Sequence, residues 1–155
     1  MSDLIGSSEQ ILSEAGRAIL QALAGAIIPA SEAHGVPGAD DETIFADLMR
    51  TAGPTLQFIA EHLGILEELA GEGSFLDATL EEQAGLAEQF RSAHPEAAAL
   101  IVSLICQCYY RDPRVLESLG TPARPPFPEG YEIDQGDWSL LDPVKARGPI
   151  YRPAS

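Results

Sequence analysis

Residues 95–110 read PEAAALIVSLICQCYY, and the prediction of the fold starts from this stretch. After its first two residues, apolar and small side chains fall on nearly every side of the predicted helix. A helix that is apolar all round is typical of a protein core, where neighbouring helices cover it. We therefore predict a central core helix from Pro95 to about Tyr110, wrapped by other helices.

The sequence before and after this stretch predicts further helices and no strands. Capping-box patterns occur at residues 7–10 and 79–82, and Asp40 or Asp41 is the predicted cap of another helix. Apolar residues then recur at helical spacing, and prolines and glycines end each run. The predicted helices cover residues 9–28, 41–53, 54–71, 80–94, 95–110 and 114–119. This pattern predicts an all-α compact bundle of about five or six helices.

The last 35 residues differ in character from this helical body. Residues 121–155 hold seven of the twelve prolines, and proline fixes its own φ and lacks an amide donor, so we predict an irregular segment. A flexible linker would be polar and poor in aromatic residues, whereas this segment carries Phe127, Tyr131, Trp138, Leu140, Leu141, Ile150 and Tyr151. We predict a helical body, residues 1–120, and a C-terminal strap, residues 121–155, that packs on the body, on a partner subunit or on both.

Residues 29–40 form a second non-helical segment. They contain two prolines and two glycines, which predicts a loop of defined shape rather than a flexible one. Because restricted conformations reduce the entropy lost on binding, we interpret this loop as an interaction surface.

Charge limits the classes of partner. Residues 1–120 carry 19 of the 24 acidic side chains and five of the nine basic ones, a net charge of −14. Phosphate backbones and anionic membranes would be repelled, so we predict no nucleic-acid binding and no docking on an anionic membrane. Neither a secretory signal nor an apolar run of about 18 residues is visible. The sequence as written predicts a cytoplasmic protein, or a periplasmic one if a partner carries it through export.

Signatures of catalysis, metal binding and cofactor binding are absent from the sequence. None of the three histidines has a glutamate three residues before it, as a di-metal helical site would need. Cys106 and Cys108 point to different faces of the core helix and predict reduced, half-buried thiols. No phosphate-binding or nucleophile motif occurs. We predict no catalytic residue, no metal site and no cofactor in this chain.

Four short stretches resemble a known family. ALAGAIIPA at residues 22–30 and GVPGA at residues 35–39 are similar to the opening of the small subunit (subunit 3) of gluconate 2-dehydrogenases. QCYY at residues 107–110 and LESLG at residues 116–120, followed by a proline-rich aromatic tail, are similar to that family's C-terminal half. The resemblance covers roughly residues 18–155.

The resemblance implies a helical, cofactor-free subunit that binds a large flavin-dependent oxidoreductase of the glucose–methanol–choline class and aids its maturation and stability. FAD is then expected in the partner subunit. Relatives commonly carry a twin-arginine export signal, and residues 1–6 of this chain contain no arginine pair. The expected partner-binding residues are Pro29, His34, Val36, Pro37, Gly38, Tyr109, Tyr110, Trp138, Leu140, Leu141 and Tyr151.

Two other hypotheses stay open at this stage. The first is a self-contained small helical enzyme or ligand-binding protein, with a pocket between bundle and tail that uses Tyr109, Tyr110, Asp112 and Trp138. A large apolar pocket with convergent polar groups would favour it, whereas an apolar groove would favour the subunit. The second is a homo-oligomer that exchanges its tail.

Overall fold

The computed structural model describes residues 11–71, 73–124, 127–128, 130 and 135–148. The chain divides into two compact units, Met1–Ala123 and Arg124–Ser155. Among the described residues, six α-helices belong to the first unit and one to the second: α1 Glu14–Ile27, α2 Glu42–Thr51, α3 Leu56–Ala70, α4 Leu80–Ala93, α5 Pro95–Tyr109, α6 Pro113–Ser118 and α7 Asp142–Ala146. Within the described residues there is no strand, apart from an isolated bridge between Ser31 and Val36. The prediction of an all-α bundle is confirmed.

Helix α5 packs against α2, α3 and α4 in the first unit. Its buried side chains are Ala97, Ala98, Ile101, Ile105, Cys108 and Tyr109. The helix is not covered on every side, because Ala99, Ser103 and Gln107 form an exposed stripe. These three positions are four residues apart and so share one helix face. The stripe could not be predicted from the sequence at Ala99, because alanine occurs on both the buried and the exposed faces of helices.

A short 3₁₀ turn, Phe75–Asp77, closes the other side of the core. The side chain of Phe75 is fully buried. Its amide donates to Glu67 Oε2 at 3.1 Å, and its carbonyl accepts from Gln83 Nε2 at 3.0 Å. The turn thereby joins α3 to α4. The amide and the carbonyl of buried Phe75 both have hydrogen-bond partners, because an unpaired backbone group would be costly in the core.

The predicted helix caps agree with the structure in two places and differ in one. Asp41 caps α2, and Thr79 and Glu82 form the predicted capping box of α4. The predicted helix at residues 9–28 is interrupted: Ile11 is helical, Leu12 and Ser13 are not, and α1 begins at Glu14. Ser13 is extended (φ −62°, ψ 162°), and its side chain accepts from the amide of Gly16. The capping-box pattern at residues 7–10 lies outside the described residues.

The strap was predicted to be irregular, and this is wrong for nine of its residues. A 3₁₀ helix at Trp138–Leu141 runs into α7 at Asp142–Ala146. The carboxylate of Asp137 accepts from the amide of Ser139 at 3.0 Å and so starts the first turn. Pro143 lies in the first turn of α7, where a helix leaves its amide groups unpaired in any case. Across the described part of the chain, every helix is too short or too polar to cross a membrane.

Candidate interaction surface

The loop at residues 29–40 has one defined conformation. The amide of Ser31 donates to the carbonyl of Val36 at 3.0 Å, and the amide of Val36 donates back at 3.1 Å. Between them, a 3₁₀ turn at Glu32–His34 ends at Gly35, whose φ of 63° favours glycine. The amide of Ala39 donates to the carbonyl of Ile28 at 2.9 Å, which closes the loop at its base.

Gly38 is the tightest position of this loop. A Cβ placed there would lie 2.9 Å from the amide nitrogen of Ala30 and would clash with the carboxylate of Asp40. The carbonyl of Asp40 in turn accepts from Gln21 Nε2 of α1 at 2.8 Å. The second half of the loop is therefore packed against its own first half and tied to α1.

Tyr109 connects the loop to the end of the core helix. Its hydroxyl donates to the carbonyl of Pro37 at 3.1 Å, and its ring is 5% exposed. Burial raises the pKa of this phenol, and the neighbouring Tyr110 and Asp112 raise it further, so the hydroxyl keeps the proton that it donates. The ring of Tyr110 meets that of Tyr109 edge to face at 5.2 Å and is 53% exposed. One tyrosine supports the loop while the next presents its ring to solvent.

Arg114 fixes the end of the loop through two helix-capping aspartates. Its Nη2 donates to Asp41 Oδ1 at 2.7 Å, and its Nε donates to Asp112 Oδ1 at 3.0 Å. Asp41 caps α2 and Asp112 caps α6. The hydrogen bonds from Arg114 are the main cause of the lowered pKa of both carboxyls. The arginine therefore holds two helix N-termini together.

A second arginine, Arg111, forms an ion pair at the junction of α2 and α5. Arg111 contacts the carboxylate of Asp47 and the hydroxyl of Thr51, and its Nη2 lies 3.4 Å from Cys108 Sγ. The hydrogen bond to Asp47 raises the pKa of Arg111, and burial raises the pKa of the Cys108 thiol. Both cysteines are free, Cys106 half-buried and Cys108 buried. The arrangement locks α2 to α5.

The expected partner-binding residues fall into three groups along the sequence, in the loop at residues 29–40, at the end of α5 and in the strap, and the structure joins the first two. We call residues 29–40 together with Tyr109 and Tyr110 the loop surface. In it, Pro29 and His34 are exposed, Val36 and Pro37 are half-buried and Gly38 is buried. The third group belongs to the second unit, where Trp138 is 64% exposed, Leu140 75% and Leu141 41%. Tyr151 lies outside the described residues.

An apolar groove in the first unit was not anticipated from the sequence. It has a volume of about 240 Å³ and lies between α1, α4 and α5. Its lining is apolar except for Glu88 and Arg91 at its edge. Small side chains at Ala84, Ala87 and Ala98 leave room between helices, but the sequence does not show that α1, α4 and α5 pack together around them.

Two of the three histidines, which the sequence analysis treated separately, come together. The rings of His62 and His94 are 5.9 Å apart, and Phe58 and Phe90 stack beside them. His62 Nδ1 lies 2.9 Å from the carbonyl of Phe58. Because a carbonyl can only accept, Nδ1 carries the proton. Across the described residues, no group of three or more His, Cys, Asp or Glu side chains could hold a metal ion.

Comparisons with known proteins add no relative to this picture. No protein-family model matches the chain, and neither the curated proteins nor the solved structures give a match.

Proposed function

We propose that this chain is a non-catalytic small subunit that binds and stabilises a large FAD-dependent oxidoreductase of the glucose–methanol–choline class. The proposal starts from the resemblance to subunit 3 of gluconate 2-dehydrogenases. Under it, flavin and substrate chemistry belong to the partner, and this chain supplies a binding surface.

The observation that carries the proposal is the hydrogen bond from Tyr109 to Pro37. The stretches that resemble the family lie far apart in the sequence, at residues 22–39 and 107–120. This bond brings GVPGA and QCYY onto one loop surface, so the resembling residues are neighbours in space. Such clustering supports a shared binding role for them, although each stretch alone is short.

The rigidity of the loop surface also supports a binding role. The Ser31–Val36 bridge, the packing at Gly38 and the Arg114 pairs together restrain the loop from its base to its end. A loop that is already ordered loses less conformational entropy when a partner binds. Its exposed Pro29, His34 and Tyr110 would then be presented in a fixed arrangement.

The concavities of the first unit favour a binding protein over a self-contained enzyme. The apolar groove, at about 240 Å³, is smaller than the ~300 Å³ at the lower end of small-molecule sites. A wider concavity of about 460 Å³ lies beside the turn between α3 and α4. Two of its polar side chains, Ser74 and Glu82, accept hydrogen bonds from the local backbone and so hold the turn and the helix cap. The other two, Asp77 and Gln89, are exposed.

The experiment is co-expression of this chain with a flavoprotein encoded by a neighbouring open reading frame, followed by a pull-down on the small chain. We expect a yellow complex with FAD in the large partner. In the test variant, Ser-Gly-Ser replaces Val36-Pro37-Gly38. This variant should weaken the complex more than it lowers the melting temperature of the free chain, because it removes the restraints on the loop surface.

The matched control is Glu81→Gln on α4, an exposed change at a residue that is not part of the loop surface. It should leave both the complex and the melting temperature unchanged. Recovery of no flavoprotein would count against the proposal. Equal loss of complex and stability in the loop variant would mean that the loop has only a structural role.

A further inference from the structure

The second unit presents a short helical segment with an apolar stripe. The segment at residues 138–146, which we call the tail helix, combines the 3₁₀ helix Trp138–Leu141 with α7. Trp138, Leu141 and Val144 are three residues apart, a spacing that places neighbouring side chains on one face. They are 64%, 41% and 57% exposed. Large apolar side chains exposed together in this way indicate a docking element.

A charged pair accompanies this stripe. Lys145 Nζ lies 3.5 Å from Asp142 Oδ1, and both side chains are exposed. The apolar groove of the first unit has a similar pair at its edge, where Arg91 Nε donates to Glu88 Oε2 at 2.8 Å. In each pair the acid precedes the base by three residues.

The order of these charges decides how a tail helix would lie in the groove. Parallel to α4, it would bring Asp142 to Glu88 and Lys145 to Arg91, which is repulsive. Antiparallel to α4, Asp142 faces Arg91 and Lys145 faces Glu88, so both contacts are attractive. An amphipathic helix that lays its apolar face into a groove is a common recognition mode, and the lining of this groove is apolar apart from Glu88 and Arg91.

We propose that two copies of this chain exchange tail helices, each docking antiparallel to α4 in the α1–α4–α5 groove of the other copy. One nine-residue helix buries too little surface for a specific interface, which needs roughly 1,000 Å² in total. Exchange in both directions doubles the contact and closes the assembly as a symmetric dimer. This dimer is separate from the loop surface and does not depend on the partner proposed above.

The experiment uses the full chain and two double variants. The groove variant is Glu88→Arg with Arg91→Glu, and the tail variant is Asp142→Lys with Lys145→Asp. All four side chains are well exposed, so the folds should be kept, and circular dichroism checks this. The association of each is measured by sedimentation over a wide range of protein concentration.

The unchanged chain should form a dimer as concentration rises. The emission of Trp138, the only tryptophan, should shift to the blue in parallel, because its ring leaves water. Each double variant alone should weaken the dimer about tenfold, since two exposed ion pairs become repulsive. An equimolar mixture of the two variants should restore it, because in the mixed dimer both grooves meet a tail of matching charge.

Four results would overturn the proposal. The first is a monomer at every concentration, and the second is a dimer that survives truncation after Gly136. The third is a mixture of variants that fails to regain association. The fourth is Trp138 emission that is independent of concentration but shifts in the groove variant, which would identify the occupant as the same molecule's own tail.

Discussion

The hydroxyl of Tyr109 donates to the carbonyl of Pro37 across 72 residues of sequence, at 3.1 Å. It comes from the last residue of the core helix and reaches the middle of the loop at residues 29–40. The loop conformation is therefore supported in part by a residue that local sequence signals around the loop do not include. Substitution of Tyr109 should therefore affect the conformation of the loop more than the packing of the bundle.

Tyr109→Phe removes this hydrogen bond and keeps the buried ring. We expect a loss of about 1 kcal/mol in the free energy of unfolding, with faster hydrogen exchange at the amides of Ser31 and Val36. Urea denaturation and exchange followed by mass spectrometry measure the two effects. Tyr110→Phe is the control, because that ring is half exposed and should change neither quantity. Unchanged exchange in Tyr109→Phe would show that the loop holds its shape without the bond.

Arg114→Met removes the cation that pairs with Asp41 and Asp112. Because Arg114 is 45% exposed, solvent screening limits the expected loss to about 1 kcal/mol at neutral pH. The pKa of each aspartate lies below the ordinary value of 3.8, so the stabilisation is present above that pH and is lost as pH falls through the lowered values. The difference between variant and parent should therefore shrink below about pH 4.

The matched control for this prediction is Arg91→Met. Its partner Glu88 is 59% exposed, so the substitution leaves no buried carboxylate behind and should leave the free energy of unfolding nearly unchanged. Unfolding curves at several pH values between acid and neutral would measure both variants. A gap between Arg114→Met and the parent that is equally large in acid would rule out the two carboxylates as its source.

Local signals in the sequence were enough to predict most of the helices. Thr79 and Glu82 identified the start of α4, and Asp41 that of α2, because a cap depends on residues three or four apart. The start of α1 was missed, since the apolar spacing runs through Ser13 without a break. The tail helix was missed because proline density was taken to exclude any helix, whereas Pro143 occupies the one turn that tolerates it.

The candidate surface could be predicted only in part. The loop and Tyr109 were each identified by residue type, but their contact depends on how α5 packs against α2, which local spacing does not contain. The groove and the proximity of His62 and His94 depend on helix pairing in the same way. Pairing of distant helices is a property of the whole core, so residues that meet across it show no common local pattern.

Gly38→Ala and Gly64→Ala should have opposite effects. A Cβ at Gly38 meets the backbone at Ala30 N, 2.9 Å away, so the loop must shift and the free energy of unfolding should fall by about 1–3 kcal/mol. Gly64 lies inside α3 with nothing within 4 Å of its Cβ position, so alanine there should add about 0.5–1 kcal/mol. Thermal and urea unfolding compare the two. A neutral Gly38→Ala would mean that Asp40 and Ala30 move easily.

The two cysteines should differ in their reaction with iodoacetamide. Burial raises the pKa of the Cys108 thiol and leaves its side chain 1% exposed, so little thiolate is present or accessible. We expect Cys108 to react at least about tenfold more slowly than half-buried Cys106 in the folded protein. Mass spectrometry of labelled peptides measures both rates, and in urea they should become similar. Fast labelling of Cys108 in the native state would show that α5 opens locally.

Truncation after Gly136 should leave the helical body folded. For the part of the chain that the structure describes, the buried core cluster extends from Leu12 to Val115, within the first unit. Removal of residues 137–155 takes away none of these side chains. We therefore expect unchanged helical circular dichroism from the body and a melting temperature close to that of the full chain. An unfolded product would show that the tail belongs to the core.

The same truncation should abolish both kinds of association. It removes the exposed Trp138, Leu140 and Leu141, which we expect to contact the flavoprotein, and it removes the tail helix needed for the dimer. Because both contacts use Trp138 and Leu141, the dimer and the flavoprotein complex should compete for the tail helix. The groove variant at Glu88 and Arg91 separates the two roles, because it should weaken the dimer and leave flavoprotein binding intact. Pull-down and sedimentation on both variants provide the comparison. Retained flavoprotein binding after truncation would assign the main contact to the loop surface, with Tyr110 as its exposed aromatic side chain.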